Sequence, residues 1–160
     1  MSGTNTAKST LAGTNTESSP LVIGIGASAG GLEALQQFFS CMPPNSGLSF
    51  VVVQHLSPDY KSLMADILGK HTSISVYQAE NGMRVEPDTV YLIPPKKLMT
   101  IRDGKLILTD YAANSLNHPI DTFFASLAEE KREHAIVAVL SGTGTDGTNG
   151  VKLVKEHGGL

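Results

Sequence analysis

Three separate stretches of this chain carry side chains that could cooperate in acyl transfer. Ser28 lies in Gly26-Ala27-Ser28-Ala29-Gly30, His55 ends the run Phe50-Val51-Val52-Val53-Gln54-His55, and Asp146 lies in Ser141-Gly142-Thr143-Gly144-Thr145-Asp146-Gly147. A serine hydroxyl is a weak nucleophile until a base takes its proton. An imidazole titrating near neutrality is the usual base, and an aspartate holds that imidazole in one tautomer and stabilises the imidazolium. Glycines on both sides of the serine let the backbone turn sharply and lift the hydroxyl above a sheet. A helix that follows points N–H groups and its positive dipole end at the reacting oxygen.

Each residue alone has a plainer reading. Ser28 could cap a helix, His55 could be a strand-end histidine bonded in the core, and Asp146-Gly147 could be an ordinary turn. A glycine-rich turn can also cradle a phosphate. That reading wants an acidic residue about 20 positions on, at the end of the second strand, to hold a ribose. The second strand here ends in Gln54-His55, and the spacing from Gly24 and Gly26 places Ala29 where a third glycine belongs. No G-K-[ST] is present for a P-loop. Asp121 is a rival for the acid, but it falls at a helix start, where a carboxylate is expected for dipole reasons, so it ranks below Asp146. His71, His118, His134 and His157 show no metal-ligand spacing with one another or with Cys41, and solvated or capping roles suit them better.

The elements that must position the trio alternate along the chain. Strands are expected over 21–25, 48–55, 73–79 and 135–140, with shorter β pieces over 89–95, 97–104 and 105–110 and a hairpin turn at Asp103-Gly104. Helices are expected over 30–42, 61–70, 120–134 and 147–159, read from apolar spacings such as Leu32, Leu35, Phe38 and Phe39. Continuous apolar strands separated by helices imply an α/β domain with a doubly wound, mostly parallel sheet covered on both faces, plus a small β-hairpin. In such sheets chemistry sits beyond the carboxyl ends of the strands, where Ser28, His55 and Asp146 all fall.

Composition narrows the classes. The chain has 160 residues, 41% of them hydrophobic, enough for a single domain. Its net charge of −3 leaves no basic footprint for nucleic acid. The single cysteine, Cys41, allows no internal disulfide, which fits a reducing, cytoplasmic setting. No apolar run is long enough to span a membrane. Residues 1–20 are polar, with GTNT repeated, and read as a flexible leader before a domain spanning 21–160.

The segments IGASAGG, VVVQHLSP and LSGTGTDG resemble, in order, the three signature segments of the chemotaxis protein-glutamate methylesterase (CheB) catalytic-domain family. The stretch ENGMRVEPDTVYLIPP looks like that family's hairpin region. The resemblance implies a catalytic triad of nucleophile Ser28, base His55 and acid Asp146. The reaction implied is hydrolysis of glutamate methyl esters on the cytoplasmic helices of methyl-accepting chemoreceptors, with deamidation of receptor glutamines in some members. No cofactor or metal is implied. The oxyanion loop would involve Ala29, Gly30 and Thr143. The family commonly has threonine at the first of these and methionine at the last, and losing an oxyanion donor typically costs roughly 10²–10³ in rate. A second reading is therefore a catalytically weak receptor-binding or regulatory module with a retained triad. The wording QHLSPDYKSLM is similar to versions fused ahead of a receptor methyltransferase, so a longer native chain is expected. The ending EHGGL, where another strand would begin, carries the same expectation.

Overall fold

The computed structural model describes residues 20–28, 30–55, 63–113, 116–141 and 144–160. The polar leader, apart from Pro20, lies outside them. In chain order the elements are β1 (Leu21–Ala27), α1 (Leu32–Ser40), β2 (Leu48–Gln54), α2 (Leu63–Gly69), β3 (Ser75–Gln78), β4 (Met83–Arg84), β5 (Thr89–Leu92), β6 (Lys97–Arg102), β7 (Lys105–Asp110), α3 (Pro119–Lys131), β8 (Ile136–Ser141) and α4 (Thr148–Glu156).

Five strands form one parallel sheet in the order β3-β5-β2-β1-β8. Phe50 to Gln54 of β2 are all buried, because successive side chains enter two different cores. On one face α3 lays Phe123, Phe124 and Leu127 over Val22, Val51 and Val53. On the other, Leu35 and Phe39 of α1 and Leu68 of α2 pack with Ile25, Phe50 and Val52. Phe39 meets the Phe50 ring edge-on with centroids 5.3 Å apart. Burying a side chain of this size is worth about 1.5–3 kcal/mol. The doubly wound reading of the sequence is therefore what forms.

Three details depart from the sequence reading. The segment Thr89–Leu92 is a central strand between β3 and β2 rather than part of a peripheral hairpin. The antiparallel unit has three strands, β4-β7-β6, turning at Asp103-Gly104 with φ of 50° and 69°. Of the stretch compared with the family's hairpin region, only Met83–Arg84 belongs to that unit. The helix expected over 120–134 stops at Lys131, and Arg132, at φ 50°, opens a separate 3-10 turn over Arg132–His134.

Two features bear on the strand ends. Chain order places β2, β3 and β5 on one side of β1 and β8 on the other, so the strand order reverses between β1 and β8, the crevice where such sheets bind ligands. The register also slips there: Gly26 pairs with Val139 but Ala27 with Ser141, leaving Leu140 as an extra residue. Such bulges re-aim the backbone beside them. Gly26 has a packing role as well, since a Cβ on it would lie 2.7 Å from Ile120 Cγ2. The glycine-rich signature thus brings α3 close to β1 at the end that carries Ser28.

Candidate active site

Ser28 leaves the end of β1 tied to both neighbouring strands. Its N–H donates to the Ser141 carbonyl of β8 at 3.0 Å. Its own carbonyl accepts the Gln54 Nε2–H of β2 at 2.8 Å and the Gly31 N–H at 2.9 Å. The Ser28 hydroxyl lies 3.5 Å from the Ser141 hydroxyl. Ala27 pairs in register with Gln54, so Ser28 and His55 are the next residues on adjacent strands, where strand spacing is about 4.8 Å.

His55 and Asp146 approach from opposite sides of β1. His55 Nε2 is 2.8 Å from Asp146 Oδ2. The His55 side chain is 45% exposed and that of Asp146 only 9%. A carboxylate can only accept, so this bond assigns the Nε2 proton to His55 and leaves Nδ1 as the basic nitrogen. The pair bridges the crevice above the strand end from which Ser28 emerges.

The Asp146 carboxylate is held by more than the histidine. Its Oδ2 also accepts the Ile120 N–H at 3.0 Å, and its Oδ1 accepts the Asp121 N–H at 2.8 Å. These are amides of the first turn of α3, which lacks a side-chain cap from its own N-cap residue, His118. His118 Nδ1 stands 3.9 Å from Asp146 Oδ1. Ligand atoms of His118, Asp121 and Asp146 lie within 4.8 Å of one another, a grouping that linear spacing could not reveal. The Asp121 and Asp146 oxygens in it face backbone N–H donors, as capping carboxylates do. Tyr111 adds a phenol to the surroundings, and burial, followed by the Asp146 charge, pushes its pKa above the ordinary tyrosine value.

The structure thus joins His55 to Asp146 and places Ser28 at the end of the neighbouring strand, where its hydroxyl bonds Ser141. Gly30 beside them is exposed, with open space where a side chain would stand. Ala29 and Thr143, the other oxyanion-loop candidates, lie outside the described residues. Sequence reasoning missed Ser141 and Gln54. Gln54 had a legible signal: a polar residue closing a run of buried apolar ones, directly before the histidine.

A doubly wound α/β domain with serine, histidine and aspartate at the ends of adjacent parallel strands defines a class, and similarity to known proteins narrows it to one family. The chain belongs to the CheB methylesterase family, whose model matches residues 23–160. It is similar to the crystal structure of the Thermotoga maritima CheB methylesterase catalytic domain, with a TM-score of 0.78 and 31% identity, covering 89% of this chain and 78% of that one. It is 39% identical over 147 residues to protein-glutamate methylesterase/protein-glutamine glutaminase 2 of Shewanella sp. (strain MR-4), covering 86% of this chain and 40% of that protein. An uncharacterized 104.1 kDa protein of Rhodobacter capsulatus is 43% identical over 97 residues, 61% of this chain and 10% of its own length. The chain therefore spans about two fifths of the curated methylesterase relatives it matches. Among the described residues no helix is long and apolar enough to cross a membrane.

Proposed function

We propose that this chain is a serine hydrolase that removes methyl esters from glutamate side chains of chemoreceptor cytoplasmic helices, and that it deamidates receptor glutamines by the same route. The observation that carries this reading is the 2.8 Å bond between His55 and Asp146 across the end of β1, where Ser28 emerges. His55 Nδ1 takes the Ser28 proton as Oγ attacks the ester carbonyl. Asp146 holds Nε2–H and stabilises the imidazolium. The tetrahedral oxyanion is met by backbone N–H groups of the loop containing Ala29 and Gly30 and of the loop containing Thr143. As the intermediate collapses, the imidazolium gives its proton to the departing methoxide, and methanol leaves. Water activated by His55 then hydrolyses the acyl-enzyme and restores Ser28. Every step uses side chains, backbone and water. The names of the Shewanella and Thermotoga relatives support the substrate class. The 104.1 kDa size of the Rhodobacter capsulatus relative supports a place in a longer polypeptide; that the partner domain is a receptor methyltransferase rests on the wording QHLSPDYKSLM alone.

The second reading, a receptor-binding module with little turnover, draws on the contact of the Ser28 hydroxyl with Ser141 at 3.5 Å. One experiment separates the two. A receptor cytoplasmic fragment carrying glutamate methyl esters is incubated with the chain and methanol is measured. Release that disappears in Ser28→Ala is expected. Binding of the fragment without release would leave the module reading in its place.

A further inference from the structure

Asp121 takes no part in the mechanism above, yet it ties down the segment that carries the acid. The N-cap residues of α3 and α4, His118 and Gly147, make no side-chain cap to their own helices. Each helix start is capped by an aspartate from the other segment: α4 by Asp121 of α3, and α3 by Asp146, which lies just before α4. Asp146 accepts the Ile120 and Asp121 amides of α3 at 3.0 and 2.8 Å. Asp121 Oδ1 accepts the Gly147 and Gly150 amides of α4 at 3.0 and 2.7 Å. One oxygen thus meets both amides that a capping box would satisfy. The glycines make the reach possible: a Cβ on Gly147 would lie 3.0 Å from Ile120 Cγ2, and one on Gly150 would lie 2.5 Å from Phe124 Cβ. Two carboxylates this close repel, but each lies at the positive end of the opposite helix, which carries roughly half an elementary charge.

We propose that Asp121 is a positioning residue for Asp146. By bonding the Gly147 and Gly150 amides, it fixes the Asp146 carboxylate against the His55 ring. The proposal rests on the triad reading for its effect on turnover, but its geometric part is read without any substrate. Gly147 is the residue after Asp146, so the Asp121 bond anchors the acid one peptide away from its own Cα. Releasing that anchor frees the Asp146 carboxylate to leave Nε2, and the imidazole then loses its single tautomer.

The test uses Asp121→Ala and Asp121→Asn with two readouts: the ring-nitrogen NMR shifts of His55, and kcat and KM for methanol release from the esterified receptor fragment. Both amides bond the same oxygen of Asp121, so the asparagine amide can replace it. The expected result is a mixed His55 tautomer and a kcat about 10- to 100-fold lower in Asp121→Ala, as a small misplacement of a reacting group costs. KM should be unchanged, and Asp121→Asn should match the wild type on both readouts. A folded Asp121→Ala chain with a lower melting temperature but wild-type tautomer and kcat would overturn the proposal and leave Asp121 a purely structural cap. If Asp121→Ala does not fold, Asp121→Glu moves the same acceptor by one methylene, and unchanged tautomer and kcat there would equally overturn it. If the wild type hydrolyses no ester while the tautomer still mixes in Asp121→Ala, the positioning role stands and the esterase reading alone falls.

Discussion

Gln54 holds the Ser28 carbonyl at 2.8 Å, so the strand that carries the proposed base also fixes the backbone of the proposed nucleophile. Gln54 is 4% exposed, and its amide therefore acts where water competes little. Replacing it with alanine removes this bond from a buried site. Because the Ser28 carbonyl keeps the Gly31 N–H, a stability loss of about 0.5–1.5 kcal/mol is expected, together with a fall in kcat of about tenfold or more as Ser28 drifts from its geometry. Urea denaturation and methanol release measure the two effects. A stability loss with kcat unchanged would show that the Gly31 and Ser141 bonds suffice to place Ser28.

Gly26→Ala probes the packing that brings α3 to the site. The new methyl would stand 2.7 Å from Ile120 Cγ2 and 3.4 Å from Phe124 Cζ, so the Ile120 side chain or α3 itself must give way. Overpacking of this kind costs about 1–3 kcal/mol. Because the Ile120 amide bonds Asp146, a lower urea midpoint should be accompanied by slower turnover. A midpoint equal to that of the wild type would mean that Ile120 repacks without strain.

Tyr91 predicts an alkaline limit on stability. Its hydroxyl donates to the Arg84 carbonyl at 3.1 Å and accepts the Glu86 N–H at 2.9 Å. Burial raises its pKa, outweighing the hydrogen bonds that lower it. The native phenol therefore keeps its proton at a pH where the unfolded chain, titrating near 10, has lost it. The unfolded state then binds fewer protons, and stability falls as pH climbs from about 10 through the native value. Tyr91→Phe should abolish this share of the alkaline loss while costing about 1–3 kcal/mol at neutral pH, because the Glu86 and Arg84 backbone groups lose their partner. Urea midpoints of both chains across this range check it; parallel curves would contradict it.

Much of the positioning frame was legible in local sequence. The buried runs of β1 and β2 and the apolar spacing of α1 dictate a two-faced sheet, because residues such as Val51 and Val52 must each find a different core. Pairing was less legible. Thr89–Leu92 shows its strand character locally, but only tertiary contact decides that it enters the parallel sheet. Arg132 gives no local sign that it will adopt φ 50° and end α3 early. The candidate site followed the same division. Strand-end positions pointed to Ser28, His55 and Asp146, whereas Ser141 reaches Ser28 only through a register slip that no spacing encodes. Asp121 was correctly tied to a helix N-terminus, but the amides it bonds belong to α4 rather than to its own helix.

Methanol release by Ser28→Ala, Asp146→Asn and the double variant tests whether Ser28, His55 and Asp146 act as one unit. Asp146 accepts from His55 and the Ile120 amide through Oδ2 and from the Asp121 amide through Oδ1, so an asparagine, with one accepting oxygen and no charge, either turns its NH₂ to His55 or leaves the imidazolium without its carboxylate. An NH₂ turned to His55 would force the proton onto Nδ1, the atom that must take the serine proton. Asp146→Asn is therefore expected to lose about 10⁴ in kcat. The double variant should release methanol no more slowly than Ser28→Ala alone, as residues acting in one unit do. An Asp146→Asn chain with wild-type kcat, or a double variant whose losses multiply, would contradict it.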